Sequence, residues 1–397
     1  MPYPILSHRF IYDPDEAGSE DERAQLRRDK VSQLRAMFEA GSPWFTKAFM
    51  REFADELERL RAMPLEEVKG QIFSVTGVDG ERFNEPIHFT GEVVKANMVE
   101  KMEKFNSRDN SEANDAPADT AKTWEYVYTW PRASYRTVDA MISQPEDSNR
   151  PPRYLPLPMT LCCSARKRDR TTHEFVVDPP AFSRDVVQAF WEATCAGWRA
   201  SENYAVLKQQ LEAAVSSMAA AGTLPTKVIG LGLGSFSIYG YLYEGSVLQH
   251  ALVLLIRDVL AAGAGAEAST TTVPCYVQDP GYQPEDESIL TEAGFTLLQD
   301  PRGFIEIDDG SVVVTQGPDV PVKAIVADLA RPVILIWAHP PGQEQDKTPL
   351  WLVTDPMTPR VKSMLSSDYF PKIDLPDYGE GVFRWLSMHV RKSLAEK

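Results

Sequence analysis

The sequence predicts an α/β protein: a mainly parallel β-sheet with helices on both faces, preceded by an α+β extension. Two observations lead to this prediction. After residue 183, short apolar runs alternate with longer segments of helical periodicity, which is the pattern of β-α-β units. In addition, a run of glycines follows the first of these apolar runs, where a strand is expected to turn towards a helix.

The alternating region defines the elements of the main domain. Ser183 is suited to cap its first helix. Further helices are predicted at residues 204–220, 244–262, 284–293, 321–330 and 378–397. Strands are predicted at residues 227–233, 273–278, 295–298, 311–315, 332–337 and 350–353. Strands that alternate with helices in this way form a Rossmann-like parallel sheet, here expected within residues 151–397.

The first 150 residues are predicted to form the α+β extension. Residues 21–40 and 46–61 have helical spacing with many charges, while 71–78 and the aromatic-rich 123–130 have the character of strands. The stretch 108–121 (RDNSEANDAPADTA) is almost without large apolar groups, so we expect a mobile loop there.

The composition excludes several function classes. The chain has 41 Lys and Arg residues against 57 Asp and Glu residues, which gives a net charge of −16. Such an acidic protein is unsuited to coat nucleic acid broadly or to lie on a membrane surface, although a local basic patch is compatible with it. A hydrophobic content of 43% excludes wholesale disorder, because it supplies enough material for a core.

The cysteines and the hydropathy predict a reduced, cytoplasmic protein. The chain has four cysteines, none in a C-x-x-C pair, so neither a zinc site nor a disulfide framework is expected. His173, His250 and His339 have no metal-ligand spacing, and we predict no metal. The amino terminus lacks the pattern of a secretory signal. The most apolar stretch, residues 247–262, is interrupted by polar side chains and is expected to be too short to cross a membrane.

The glycine run at residues 230–237 (GLGLGSFS) is the most informative segment for function. Gly232 and Gly234 follow the first strand, where glycine lets the backbone turn tightly and approach a ligand. The dinucleotide spacing G-x-G-x-x-G is met only if Ser235 replaces the last glycine. Ligand binding and a plain strand-to-helix turn both remain open, and no cofactor is predicted.

Polar side chains near this turn are the candidate site residues. Ser235 and Ser237 lie beside the glycines, and His250 on the following helix is a candidate base for either hydroxyl. A histidine buried in the core is the alternative, because residues 247–256 are otherwise apolar. The candidate substrate-binding residues are Gly232, Gly234, Gln249, Asp279, Tyr282, Asp286 and Asp300. A structural turn (Asp279) and a helix cap (Asp286) are the alternatives for the two acids.

The densest basic cluster comprises Arg166, Lys167, Arg168 and Arg170. In an acidic protein, such a patch is a candidate guide for an RNA backbone. A solvated loop is the alternative explanation.

Five segments in order resemble the Sensitivity-to-Red-Light-Reduced-like domain in its fungal form. They are KVIGLGLGSFS, LQHALVLL, VQDPGYQPEDESIL, GFTLLQDPRGFIEIDDGSVVV and PVKAIVADLARPVILIW. The resemblance covers about residues 227–337 and implies a Rossmann-like unit. Some members of fungal biosynthetic clusters are arginine-containing cyclodipeptide synthases, which take amino acids from aminoacyl-tRNAs and close a diketopiperazine. The acidic element of that branch has its nearest counterpart at residues 299–303, which retain Asp300.

The resemblance therefore implies a tRNA-dependent cyclodipeptide synthase with arginyl-tRNA and a second charged tRNA as partners. In this hypothesis, amides near residues 232–235 stabilise an oxyanion, Ser235 or Ser237 holds the first acyl group, and His250 relays protons. Asp279 and Asp286 bind the arginine guanidinium, and the basic cluster contacts tRNA. A non-catalytic regulatory protein and an S-adenosylmethionine-dependent transferase are the alternatives.

Overall fold

A computed structural model describes residues 19–95, 98–99, 123–142, 156–176, 182–238, 240–263, 273–339, 354–378 and 381–392. The predicted loop at 108–121 and the predicted strand at 350–353 lie outside these residues. The chain divides into two compact units. The first contains Met1–Ser42 and Arg51–Pro180, and the second contains Pro43–Met50 and Ala181–Lys397. This division lies 30 residues beyond the sequence-based boundary at 150 and 151.

The first unit combines helices with two antiparallel hairpins. Strand β1 (Ile72–Thr76) pairs with β2 (Arg82–Pro86), and β3 (Trp124–Tyr135) pairs with β4 (Met159–Asp169). The second hairpin joins residues from both sides of the sequence-based boundary. The helices of this part of the chain are α1 (Glu20–Glu39), α2 (Lys47–Arg61), α3 (Leu65–Val68) and α4 (Val138–Ile142).

The second unit contains seven further helices and nine strands in its described residues. The helices are α5 (Arg184–Arg199), α6 (Glu202–Ala220), α7 (Glu244–Gly263), α8 (Pro284–Glu292), α9 (Arg302–Ile305), α10 (Val322–Leu329) and α11 (Pro359–Asp368). The strands are β5 (Lys227–Leu231), β6 (Ser237–Ile238), β7 (Tyr241–Leu242), β8 (Cys275–Gln278), β9 (Thr296–Leu297), β10 (Ser311–Thr315), β11 (Ile334–Ala338), β12 (Ile373–Asp374) and β13 (Leu386–Val390).

Seven of these strands form one sheet in the order β12-β13-β11-β10-β5-β8-β9. The five strands from β11 to β9 are parallel, whereas β13 and β12 are antiparallel additions. From β5 the chain first extends the sheet through β8 and β9, then returns to add β10 on the other side. This doubly wound order confirms the predicted α/β fold class and places the switch point between β5 and β10.

Alternate residues of the strands enter two different layers. Val312, Val314, Ile334 and Ile336 belong to one apolar core together with buried side chains of α5, α6, α7 and α8. The intervening residues, such as Val313 and Leu335, are also fully buried. On this second face, Gly303 of α9 lies against Leu231 and Gln278. Burial on both faces explains the nearly continuous apolar runs of these strands.

The predicted terminal helix at 378–397 is wrong in its described part. Residues Leu386–Val390 form β13, which pairs with β11 in antiparallel register. Leu386 and Met388 enter the apolar core on one face, whereas Ser387 and His389 lie on the other. This two-residue alternation is that of a strand, and pairing with a distant part of the chain outweighs local helical propensity.

Helix α7 is the central helix of the second unit. It has 20 residues and is apolar enough to cross a membrane by length and composition, which corrects the expectation that this stretch is too short. However, 78% of its most apolar window is buried inside the protein. Such burial is typical of the core helix of a folded domain.

Candidate functional site at the carboxyl edge of the sheet

The glycine loop, residues 232–236, connects β5 to the small β6–β7 hairpin. Gly232 and Gly234 have φ values of +65° and +79°, which favour glycine. A Cβ at Gly234 would lie 2.5 Å from Ser246 Oγ at the start of α7, and one at Gly232 would lie 3.1 Å from Pro318 Cβ in the loop after β10. The glycines are therefore needed both for the turn and for close packing against two neighbours.

Two carboxylates hold the glycine loop in place. Asp279 accepts the N–H of Gly234 at 2.7 Å with one oxygen and the N–H of Gly281 at 2.7 Å with the other. Asp286 is completely buried; it accepts the N–H of Phe236 at 3.2 Å and that of Gln283 at 2.8 Å. These bonds give both acids a role in positioning the loop.

Ser235 is buried within the loop that it helps to form. Its hydroxyl donates to the carbonyl of Ser237 at 2.8 Å, and its Oγ accepts the N–H of Ser237 at 3.2 Å. The hydroxyl also interacts with the Asp286 carboxylate. Burial raises the pKa of Asp286, and the hydrogen bonds from Gln283, Ser235 and Phe236 oppose that rise. Asp286 is thus a titratable side chain that interacts with this serine.

His250 does not reach either serine. Its Nδ1 lies 2.7 Å from the carbonyl oxygen of Ser246, so Nδ1 carries the proton, and Nε2 accepts from the Tyr282 hydroxyl at 2.7 Å. The ring is fully buried beside Phe236 and Phe295. Burial lowers the pKa of His250 to about 4. The environment is that of a neutral core histidine, and these contacts provide no route for a proton relay to Ser235.

The remaining predicted substrate-binding side chains are those of Tyr282, Gln249 and Asp300, and each lies in different surroundings. Burial raises the pKa of the Tyr282 hydroxyl well above its usual value. Gln249 lies on α7, almost fully buried, and its Oε1 has no hydrogen-bond partner in the described part of the chain. Asp300 accepts from Gln278 Nε2 at 2.9 Å, and Gln278 Oε1 accepts the N–H of Gly303 at 2.6 Å. Asp300 therefore supports the loop before α9.

Most predicted site residues lie on the β8 side of β5, whereas the switch point lies on the β10 side. The glycine loop is the element that borders both. On the switch-point side, β10 ends at Thr315, β11 continues to Trp337 and Ala338, and β13 begins beside them. Sequence reasoning missed these residues. The sequence did contain a signal for Thr315, because a threonine ends an otherwise apolar predicted strand there. It contained no local signal for Ser387, which lay in a predicted helix.

A buried ion pair also lies beyond the end of β10. Lys323 at the start of α10 places its Nζ 3.0 Å from Asp355 Oδ2, and its backbone N–H donates to Oδ1 at 2.8 Å. Both residues are at most 5% exposed, and burial raises the pKa of Asp355. The pair connects α10 to the chain segment that follows residue 353.

The basic cluster lies largely on a strand, not on a loop as predicted. In β4, Arg168 pairs with Glu125 at 2.7 Å, the guanidinium of Arg166 lies over Phe175, and the ammonium of Lys167 lies over Trp124. Arg170 follows the strand. Because strand neighbours point to opposite faces, the four cations do not form one continuous patch.

The described residues contain no group of three or more His, Cys, Asp or Glu side chains arranged to hold a metal ion. The four cysteines are free and buried. Burial raises the pKa of Cys195 to about 11 and that of Cys275 to about 12, so neither is a reactive thiolate.

The fold and the glycine loop together define a doubly wound α/β protein of the class that binds ligands at the carboxyl edge of its sheet. The family model of the SRR1 domain matches residues 207–351, somewhat more than a third of the chain. This match includes the strands β5 to β11 and supports the SRR1-like family that the sequence segments resemble. No curated protein and no solved structure matches the chain.

Proposed function

We propose that this SRR1-domain protein is a tRNA-dependent, arginine-containing cyclodipeptide synthase of fungal specialised metabolism. The proposal rests on the resemblance of residues 227–337 to the Sensitivity-to-Red-Light-Reduced-like domain, some of whose fungal members are such synthases, and on the glycine loop at the carboxyl edge of β5. Because aminoacyl esters are already activated, such an enzyme mainly has to orient two aminoacyl groups and stabilise an oxyanion.

The observation that carries the proposal is a pair of backbone N–H groups in the glycine loop. Asp279 and Asp286 accept the N–H groups of Gly234 and Phe236. In the described part of the chain, the intervening N–H of Ser235 and that of Leu233 have no hydrogen-bond partner. These two N–H groups alternate along the loop with Gly232 and Gly234, which have positive φ values. Such an arrangement of backbone N–H groups is suited to binding an oxyanion.

The proposed first step is acyl transfer to Ser235. The ester bond to arginyl-tRNA breaks, the arginyl group forms an ester with Ser235 Oγ, and the serine proton passes to the released tRNA hydroxyl. Asp286 replaces His250 as the group that orients the serine and holds its proton. The amino group of the second aminoacyl-tRNA then attacks the Ser235 ester, which forms a dipeptidyl-tRNA and restores the serine hydroxyl. The free amino group of the arginyl residue attacks the remaining ester, which releases the diketopiperazine and the second tRNA.

Production in a host with ordinary tRNAs, followed by mass spectrometry for arginine-containing diketopiperazines, tests this function. We expect a product from the natural protein, none from Ser235→Ala, and retained product from Ser237→Ala, whose side chain is not placed beside Asp286. A folded protein that yields no product with any of the common partner amino acids would contradict the proposal.

Contact with tRNA by the first unit is a separate part of the proposal. Arg166 and Arg170 are the candidates, because Arg168 is already paired with Glu125. We expect Arg166→Glu combined with Arg170→Glu to weaken retention of arginyl-tRNA in a gel-shift measurement. Lys208→Glu on α6 is the charge-matched control for one such substitution.

A non-catalytic, ligand-responsive regulatory protein is the second candidate. It is favoured by the interior hydrogen bonds that occupy His250, Asp279 and Asp286. Thermal-shift measurements with arginyl-tRNA, S-adenosylmethionine and NAD separate the candidates, because a ligand stabilises the state that it binds. Stabilisation by S-adenosylmethionine alone would instead support the transferase alternative.

A further inference from the structure

Three buried polar side chains form one lateral row across the sheet on its second face. Thr315 at the end of β10 is the register partner of Trp337 in β11, and Trp337 is the register partner of Ser387 in β13. All three residues are 0% exposed. Within the described residues, Thr315 Oγ1, Trp337 Nε1 and Ser387 Oγ have no hydrogen-bond partner.

Such a row requires an explanation, because buried polar atoms in proteins are nearly always hydrogen-bonded. A hydroxyl can rotate towards a partner, yet neither hydroxyl reaches the indole N–H between them. Two further polar atoms are also buried without a partner: His389 Nε2 on β13, and Gln316 Oε1 of the residue that follows β10. Four of these unpaired atoms therefore lie on three adjacent strands, and none of the four has a partner within the described residues.

The row lies where a ligand of a doubly wound sheet is expected. It is at the carboxyl ends of β10 and β11, next to the switch point. Beside it, Trp385 is half-exposed and has a φ of +64°, which is unusual for a bulky residue. Its carbonyl accepts the N–H of His339, and the Gln316 side chain donates to the carbonyl of Val382. These bonds hold a strained aromatic residue beside the row.

The chemistry of the row selects an uncharged ligand. An indole N–H only donates, whereas hydroxyls donate or accept. His389 is neutral near neutral pH, since burial lowers its pKa to about 4, and His339 and Lys372 also disfavour its charge. A carboxylate or phosphate would lose its hydration without a cation in the row to compensate. An amide, with one carbonyl and one N–H, matches both kinds of group.

We infer that the row of Thr315, Trp337 and Ser387 binds an uncharged amide group of a small ligand. The ligand carbonyl accepts from Trp337 Nε1, and the hydroxyl oxygen of either Thr315 or Ser387, which lie on the strands to either side of β11, accepts from the ligand N–H. The further identification of this ligand as a cyclic dipeptide rests on the proposed synthase function. The amide site itself is independent of acyl transfer to Ser235.

The test uses the full chain and the uncharged probe cyclo(glycyl-glycyl), with acetate as the charged comparison. We expect the cyclic amide, but not acetate, to bind in calorimetry and to shift the Trp337 indole N–H resonance, assigned by its loss in Trp337→Phe. The double variant Thr315→Val with Ser387→Ala should lose about tenfold in affinity, since the hydrogen bond to the ligand N–H is removed whichever hydroxyl accepts it. Thr291→Val on the exposed face of α8 is the control.

The thermal stability of the same double variant tests the inference even if the substitutions affect folding. We expect its melting temperature without ligand to equal or exceed that of the natural protein, because neither hydroxyl has a protein partner to lose. A marked loss of stability would place the hydroxyls in internal bonds and overturn the inference. Equal affinity in the variant, or absence of binding at millimolar probe, would also overturn it. Because Ser235→Ala leaves the row intact, that variant should bind the probe even if no synthase activity exists.

Discussion

At the scale of single residues, the His250–Tyr282 pair is a hydrogen-bonded contact within the core. Both ring nitrogens have partners inside the protein, at 2.7 Å each. We expect Tyr282→Phe to leave Nε2 as an unpaired buried acceptor and to lower the free energy of unfolding by about 1–3 kcal/mol. Urea denaturation measures the change, with Tyr243→Phe, at a half-exposed position, as the control. Equal losses in the two variants would contradict the role of this bond.

The same histidine predicts a pH dependence of stability. The pKa of His250 is about 4 in the folded protein, below the ordinary value of 6.5, so the unfolded chain binds more protons between these values. Stability is therefore fully present above about pH 6.5 and is lost as the pH falls towards 4, by about 3 kcal/mol for this residue. His389, with its pKa also near 4, acts in the same direction.

Denaturation at several pH values tests this prediction. We expect the free energy of unfolding of His250→Gln to depend less steeply on pH between 6.5 and 4 than that of the natural protein. The variant is expected to be less stable at pH 7, so the slope and not the absolute value is compared. Parallel slopes would show that His250 does not remain neutral in the fold.

At the scale of elements, the glycine loop is constrained by both conformation and space. Gly234 and Gly240 share a φ of +79°, but a Cβ at Gly240 meets nothing within 4 Å, whereas one at Gly234 meets Ser246 Oγ at 2.5 Å. Gly240→Ala should cost about 1 kcal/mol for its left-handed backbone. Gly234→Ala should cost a further ~1–3 kcal/mol for overpacking.

Thermal or urea denaturation of both alanine variants measures the difference between them. Adding Ser246→Gly to Gly234→Ala removes the nearest atom and should restore part of the stability. Equal destabilisation at the two glycines would mean that the loop can move away from α7 without cost.

The elements also show which features the sequence could predict. The strands β5, β8, β10 and β11 were predictable because burial on both faces leaves short apolar runs bounded by turns. β13 was not, because Leu386–Val390 gains its strand conformation from pairing with β11, about 50 residues earlier in the chain. The direction of Ser235 and His250 likewise depends on packing between distant elements, so nearness in sequence suggested a contact that the fold does not make.

At the scale of the whole molecule, the two units are interleaved along the chain. Residues Pro43–Met50 belong with the second unit, although its main segment begins at Ala181. Trp44 and Phe45 are buried there, and their N–H groups donate to Asp328 Oδ2 at 2.7 and 3.1 Å. Arg360 in turn pairs with Asp328 at 2.5 Å. The second unit thus depends on residues that precede most of the first.

We expect Trp44→Ala to lower the stability of the second unit by about 3–5 kcal/mol, as for other large buried side chains. Hydrogen exchange at β10 and β11 measures this effect, because those strands should open more often. The half-exposed Trp385 supplies the control variant Trp385→Ala. Unchanged protection of β10 in Trp44→Ala would mean that the early segment is dispensable for the sheet.

The lengths of β9 and β12 have a consequence for the protein in concentrated solution. The sheet ends on both sides in strands of only two residues, and β12 contains the charged Asp374 and follows the charged Lys372. Outermost strands that are short and charged give a neighbouring chain few backbone groups with which to pair. Copies of this protein are therefore protected against adding to one another's sheets and forming fibrillar aggregates while the second unit stays folded.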